Sequence, residues 1–232
     1  MPHPNKIAQD LCRDTMREIM GYIAPGMTER QIKNRLDELL WQKGATSFWY
    51  HGLGGACHVG KRTLTRRSGR HYNPTDTVVQ EKDIITIDLA PAVDGHWGDF
   101  TRTVFVENGR VVMDEDTVKD DRYAFALQCE KHLHAFVLQN TRPDMTYEQL
   151  YALVAEQLEL MGALNLDIGG NFGHSINFDQ ADRVYIMPGN DAQLDAYAGF
   201  TFEPFLHCKD CDFGIKRENI YYFDENNQPK EL

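Results

Sequence analysis

At 232 residues the chain is long enough to bury a substantial core, as one large domain or two small ones. Its 42% hydrophobic and 25% charged content is that of an ordinary soluble globular protein, which argues against a fibrous or disordered chain. The net charge of −11 argues against nucleic acid as the main partner, because phosphate binding needs a basic face.

The N-terminal stretch MPHPNKIAQDLCRDTMREIM mixes charges throughout and has no long apolar run. It reads as neither a signal peptide nor a membrane span, so no membrane partner is expected. The five cysteines (Cys12, Cys57, Cys129, Cys208, Cys211) are odd in number and scattered, the pattern of reduced thiols in a cytoplasmic protein. Cys208 and Cys211 have CxxC spacing without a second such pair, so neither a structural zinc site nor a redox pair is expected.

A first helix is predicted over Ile7 to Tyr22. A second starts in Pro25-Gly-Met-Thr28-Glu-Arg-Gln31, where Thr28 and Gln31 have capping-box spacing, and runs towards Gly44-Ala45 with Ile32, Leu36, Leu39 and Leu40 on one face. Next, ITIDLAPAVDGHWGDFTRT reads as a hairpin with strands over Ile84 to Ala92 and Trp97 to Val106. Asp94-Gly95 between them is the signature of a two-residue type I′ turn. That turn sets Asp88 opposite Thr101 and makes Asp99 its same-face diagonal neighbour. Two carboxylates that close repel unless they share a proton or a metal.

A helix is predicted from Asp120 to Gln139. Another starts at Pro143-Asp-Met-Thr146-Tyr-Glu-Gln149 and ends at Gly162-Ala163, with Leu150, Leu153, Val154 and Leu158 recurring at helical spacing. Pro25/Pro143, Met27/Met145, Thr28/Thr146, Gln31/Gln149, Gly44/Gly162 and Ala45/Ala163 all match at one offset of 118. The expected architecture is therefore a single α+β domain of two pseudo-repeats, about 1–118 and 119–232, with approximate two-fold symmetry. The polar tail Asp224 to Leu232 is expected to fray.

A site between two such halves draws groups from both. The second half offers His174 after a glycine-rich run, Glu203 in the apolar stretch Gly199 to Phe205, and Glu218 in Gly-Ile-Lys-Arg-Glu-Asn. An acid in an apolar strand needs a partner. Asp88 and Asp99 are eleven residues apart, His174 follows Gly173, Glu203 precedes Pro204, and Glu218 follows a Gly-Ile turn. In this order the five resemble the metal motif of the pita-bread metallopeptidases (M24 type), the family of methionine aminopeptidase, aminopeptidase P and prolidase. The resemblance covers nearly the whole chain.

The resemblance implies a pita-bread fold, a curved antiparallel sheet flanked by helices. It implies two divalent ions bridged by Asp99 and Glu218, with Asp88 on one ion and His174 and Glu203 on the other. Four carboxylates and one imidazole suit Mn²⁺, Co²⁺, Fe²⁺ or Zn²⁺. Such a pair, about 3.5–4 Å apart, shares a hydroxide and polarises a scissile carbonyl. Glu203 is then the candidate proton shuttle. His71, 17 residues before Asp88, resembles the histidine with which aminopeptidase P contacts substrate. The implied activity is that of an aminopeptidase or dipeptidase on small peptides, with Xaa-Pro specificity favoured over methionine aminopeptidase.

Two features depart from the pattern. Family peptidases carry a histidine seven residues after the ligand histidine, where this chain has Ala181. The loss points to altered specificity, a non-peptide C–N substrate or a slow enzyme, and a non-catalytic binding module is the remaining alternative. Aminopeptidase P and prolidase also carry an extra N-terminal domain, whereas this length is closer to methionine aminopeptidase. The basic stretch Lys61 to Arg70 (with Arg62, Arg66 and Arg67) reads first as a solvated loop or a subunit contact, the latter admitting a homodimer. Its other use is to attract a substrate carboxylate.

Overall fold

The computed structural model describes residues 3–66 and 68–232. Helices α1 (Lys6–Tyr22) and α2 (Glu29–Gln42) precede strands β1 (Ser47–Phe48), β2 (Gly55–Val59), β3 (Asp83–Leu89), β4 (Pro91–Val93), β5 (His96–Trp97), β6 (Phe100–Glu107) and β7 (Arg110–Val111). Helices α3 (Asp121–Asn140) and α4 (Tyr147–Met161) precede β8 (Leu164–Asn165), β9 (Phe200–Phe202), β10 (Phe205–His207), β11 (Ile215–Lys216), β12 (Asn219–Phe223) and β13 (Pro229–Glu231). With these helices set against antiparallel strands, the fold class is α+β, as the sequence led us to expect.

Local chemistry starts the helices where the sequence placed them. The Thr28 hydroxyl accepts from the Gln31 amide at 3.2 Å, and the Gln31 side chain accepts from the Thr28 amide at 2.8 Å. Thr146 and Gln149 repeat this at 3.1 and 2.9 Å. Each cap contributes about 1 kcal/mol by satisfying amides that have no partner within the helix. Gly162, at φ +64°, ends α4 in the left-handed conformation that glycine adopts at least cost.

The register of the central hairpin is the one derived from the Asp-Gly turn. Asp88 faces Thr101, Ala92 faces Trp97, and Asp94 and Gly95 both have positive φ. Each predicted long strand is, however, interrupted. Between β3 and β4 the Ala90 amide turns away to the Gly54 carbonyl, and between β5 and β6 the Gly98 amide donates to the Pro91 carbonyl. These breaks let the hairpin leave the sheet β2-β3-β6-β7 and join β1-β4-β5.

The apolar residues fall into two main clusters. One gathers Leu11, Ile19, Ile32, Leu36, Ile85 and Val104 beneath α1 and α2. The other gathers Leu127, Leu150, Val154, Phe200, Phe202 and Tyr221 against α3 and α4, and also takes in Ile84 and Phe105. Cys208 and Cys211 are buried free thiols in this second cluster.

The tail is not frayed. β13 pairs with β12, the Leu232 amide donates to the Ile220 carbonyl at 2.9 Å, and Arg13 donates to the Leu232 carbonyl. Composition pointed the other way because an edge strand can be polar and still be held by its backbone.

Candidate metal centre

Asp99 lies in the gap between β5 and β6, where the sheet no longer pairs its backbone. Gln9 of α1 takes over: its side chain accepts from the Asp99 amide at 2.9 Å and donates to the Asp99 carbonyl at 3.0 Å. Gly98 lets α1 come this close, since a Cβ there would lie 2.5 Å from the Ala8 carbonyl oxygen. Glu218 is brought in by its bridge to β6, where its amide donates to the Thr101 carbonyl at 3.0 Å and its carboxylate accepts from the Thr101 hydroxyl at 2.9 Å.

His174 is held by β9. Its amide donates to the Thr201 hydroxyl at 3.0 Å, and its carbonyl accepts from the Thr201 amide at 2.7 Å. Gly173 before it has φ +140°, and a Cβ there would lie 2.2 Å from the Thr201 carbonyl oxygen. The Gly-His pair is thus a requirement of backbone packing as well as a motif.

The structure gathers the five expected metal ligands in one cleft of about 900 Å³. Ligand atoms of Asp99, His174 and Glu218 all lie within 4.8 Å of one another. His174 Nδ1 is 2.9 Å from the Ser175 carbonyl, so it carries the proton and leaves Nε2 with a lone pair. Burial pushes the His174 pKa down to about 4, so the ring is neutral at neutral pH.

That neutral Nε2 is 3.4 Å from Asp99 Oδ2 and 3.7 Å from Glu203 Oε1. These groups face each other, and Asp99 Oδ2 is buried without a hydrogen-bond partner among the described residues. Burial, then the carboxylates of Glu203 and Asp88, raise the Asp99 pKa well above the usual range. Burial, then Asp99 and Glu203, do the same to Glu218. An orphaned oxygen, an imidazole lone pair and buried carboxylates crowded against one another fit a divalent metal.

Sequence reasoning did not single out Lys216. Its Nζ is 2.8 Å from Glu203 Oε2, 2.9 Å from Asp88 Oδ2 and 3.7 Å from Glu218 Oε2. Burial works against the ammonium, but these carboxylates outweigh it and hold its pKa well above the ordinary lysine value. Burial likewise opposes ionisation of Glu203, yet Lys216 and His174 bring its pKa below the usual glutamate value.

His71 lies on the cleft wall, in the short turn Gly69–His71, with its side chain exposed. Ala181 also lines the cleft, in the turn Gln180–Asp182. The imidazole on that rim is His51, with its Nε2 3.1 Å from Gln180 Nε2.

The basic segment divides. Arg62 pairs with the buried Glu29 at 2.9 Å, a structural use that removes it as a carboxylate trap. Arg66 donates to the carbonyls of Leu166 and Asp167 at 2.7 and 3.0 Å. Arg67 lies outside the described residues. Arg66 and Arg70 line the cleft, as does Arg183 from outside the segment, its guanidinium stacked 5.1, 5.4 and 5.3 Å from the rings of Trp49, Tyr50 and Tyr185. Tyr185 is a near neighbour in sequence, but Trp49 and Tyr50, more than a hundred positions away, complete the setting and leave no mark around Arg183.

Residues 5–225 match the model of metallopeptidase family M24. This chain belongs to that family. The M24 chain is 24% identical over 97% of its length to the "uncharacterized peptidase YqhT" of Bacillus subtilis. Among solved structures, the X-Pro aminopeptidase of Thermotoga maritima superposes with a TM-score of 0.79 at 21% identity, over 98% of this chain. Dipeptidase PepE of Mycobacterium ulcerans does so with a TM-score of 0.79 at 20% identity, over 98% of this chain. These likenesses establish the pita-bread fold. The chain spans about 60% of the length of these relatives, the shares being 60%, 59% and 56%. No helix among the described residues is long and apolar enough to cross a membrane.

Proposed function

We propose that this M24 chain is a divalent-metal-dependent hydrolase of small peptides, an aminopeptidase or dipeptidase of the Xaa-Pro type. The observation that carries the reading is the convergence of Asp99, His174 and Glu218 on one point, with a buried carboxylate oxygen left without a partner. The names of the relatives, a peptidase, an X-Pro aminopeptidase and a dipeptidase, support the reaction class. We take residues 1–232 as one domain of two pseudo-repeats.

Asp99, His174 and Glu218 would hold the ion, with Asp88 and Glu203 beside them and Mn²⁺, Co²⁺, Fe²⁺ or Zn²⁺ as its chemical type. Bound there, the metal supplies an acidified water and a polarised carbonyl. Glu203 would be the group to take a proton from the attacking water and return it to the leaving amine, a role suited to a carboxylate kept ionised beside Lys216. His71 donates to the substrate from the cleft wall. A second reading keeps the metal but cleaves a non-peptide C–N bond, and it is favoured by the bare methyl that Ala181 presents to the cleft.

The test is hydrolysis of Xaa-Pro dipeptides, longer Xaa-Pro peptides and simple amides by chelated protein resupplied with Mn²⁺, Co²⁺ or Zn²⁺. Metal-dependent release of the N-terminal residue is expected, with at least a thousandfold loss in Asp99→Asn, in line with removal of a group central to the reaction. Metal uptake without peptide cleavage would favour the second reading. Failure to take up any metal would overturn both.

A further inference from the structure

The acidic and imidazole groups of the cleft divide into two sets. Asp99, His174 and Glu218 gather around one point, which Lys216 meets only at its edge, 3.7 Å from Glu218 Oε2. Asp88 and Glu203 are drawn together by Lys216, whose Nζ bonds to both at 2.9 and 2.8 Å. Neither Asp88 nor Glu203 pairs with another lysine or arginine among the described residues.

Lys216 is also anchored from behind. Its amide donates to the Thr103 hydroxyl at 2.9 Å, and its carbonyl accepts from that hydroxyl at 3.1 Å, which ties β11 to β6. The side chain is only 17% exposed, so the ammonium cannot move into solvent without leaving both carboxylates. A second divalent ion between Asp88 and Glu203 would have to share with Lys216 the two carboxylates that it bridges. It would also approach a positive charge at a few ångströms in a poorly solvated cleft, where such repulsion is strong.

Resting on the metal-dependent reading above, we propose that Lys216 is a resident cation standing in for the second ion. The chain then holds one divalent ion tightly, at Asp99, His174 and Glu218, and admits a second only weakly. The five-residue set, which resembles a two-ion centre in sequence, works here as one ion plus one ammonium.

The experiment is a stoichiometry. Chelated, desalted protein is titrated with Mn²⁺ alone in a calorimeter, and the ions retained after a second desalting are counted by elemental analysis. One ion per chain is expected for the wild type. Two are expected for Lys216→Gln and Lys216→Met, with the second bound at least about tenfold more tightly than in the wild type. Two tightly held ions in the wild type would overturn the proposal, whether or not the variants fold. So would variants that melt cooperatively yet keep the wild-type stoichiometry. Retention of no ion by any form would overturn the metal-dependent reading along with it, so the two failures are distinct.

Discussion

Arg183 stacks against Trp49, Tyr50 and Tyr185, donates through Nε to the Gln180 carbonyl at 3.0 Å, and has no carboxylate partner among the described residues. Its two terminal nitrogens are therefore available to a ligand, and a forked guanidinium matches a carboxylate. A dipeptide presents its C-terminal carboxylate at short reach from the scissile bond. Arg183→Met is expected to raise KM for free dipeptides about tenfold or more, the worth of a charge-assisted hydrogen bond, while kcat changes little. KM for the same peptides with an amidated C-terminus should hardly move. Equal losses on both substrates would remove Arg183 from carboxylate binding.

At the scale of elements, side chains and missing side chains set the approach of one segment to another. β9 holds His174 through Thr201, and the closeness of that contact depends on Gly173. A methyl at this position meets a backbone carbonyl, which cannot swing aside as a flexible side chain would. Gly173→Ala should cost more than about 2 kcal/mol and lower the melting temperature by roughly 5 °C or more. Metal affinity should fall with it, because His174 moves. An unchanged melt would mean that β9 and the loop can part at no cost.

At the scale of the whole molecule, a buried polar network joins α3 to β6 and β12 behind Glu218. Arg217 reaches Glu130 at 3.2 Å and Glu115 at 2.6 Å, and His134 meets the Tyr221 hydroxyl at 2.7 Å and the Arg217 carbonyl at 3.2 Å. Arg102 donates to the Glu218 carbonyl and to Asn219. Glu130 shares its arginine with Glu115, and its Oε1 has no partner among the described residues, so burial prevails and lifts its pKa to about 7. Between its unfolded value near 4.5 and about 7 the folded state binds the extra proton, so its contribution to stability falls as pH rises through that window. The stability gap between wild type and Glu130→Gln should therefore change between pH 4.5 and 7 and be flat above it, as read from urea melts at a series of pH values. A gap independent of pH would place the Glu130 proton elsewhere.

The sequence by itself determined what depends on near neighbours. Both capping boxes were readable because threonine and glutamine three apart close on each other within one turn. The Asp88–Thr101 register was readable because Asp94-Gly95 permits the positive φ that a type I′ turn demands. The five expected ligands were legible through their order and contexts. Only the tertiary structure decided what depends on chain-distant groups meeting. Gln9 pinning Asp99, Trp49 and Tyr50 closing around Arg183 and Leu232 closing an edge strand leave no local trace. Lys216 is the sharpest case. In sequence it is one basic residue in a turn, and it becomes a cation inside an acidic centre only when Asp88 and Glu203, more than a hundred positions apart, are folded onto it, because charges interact through space rather than along the chain.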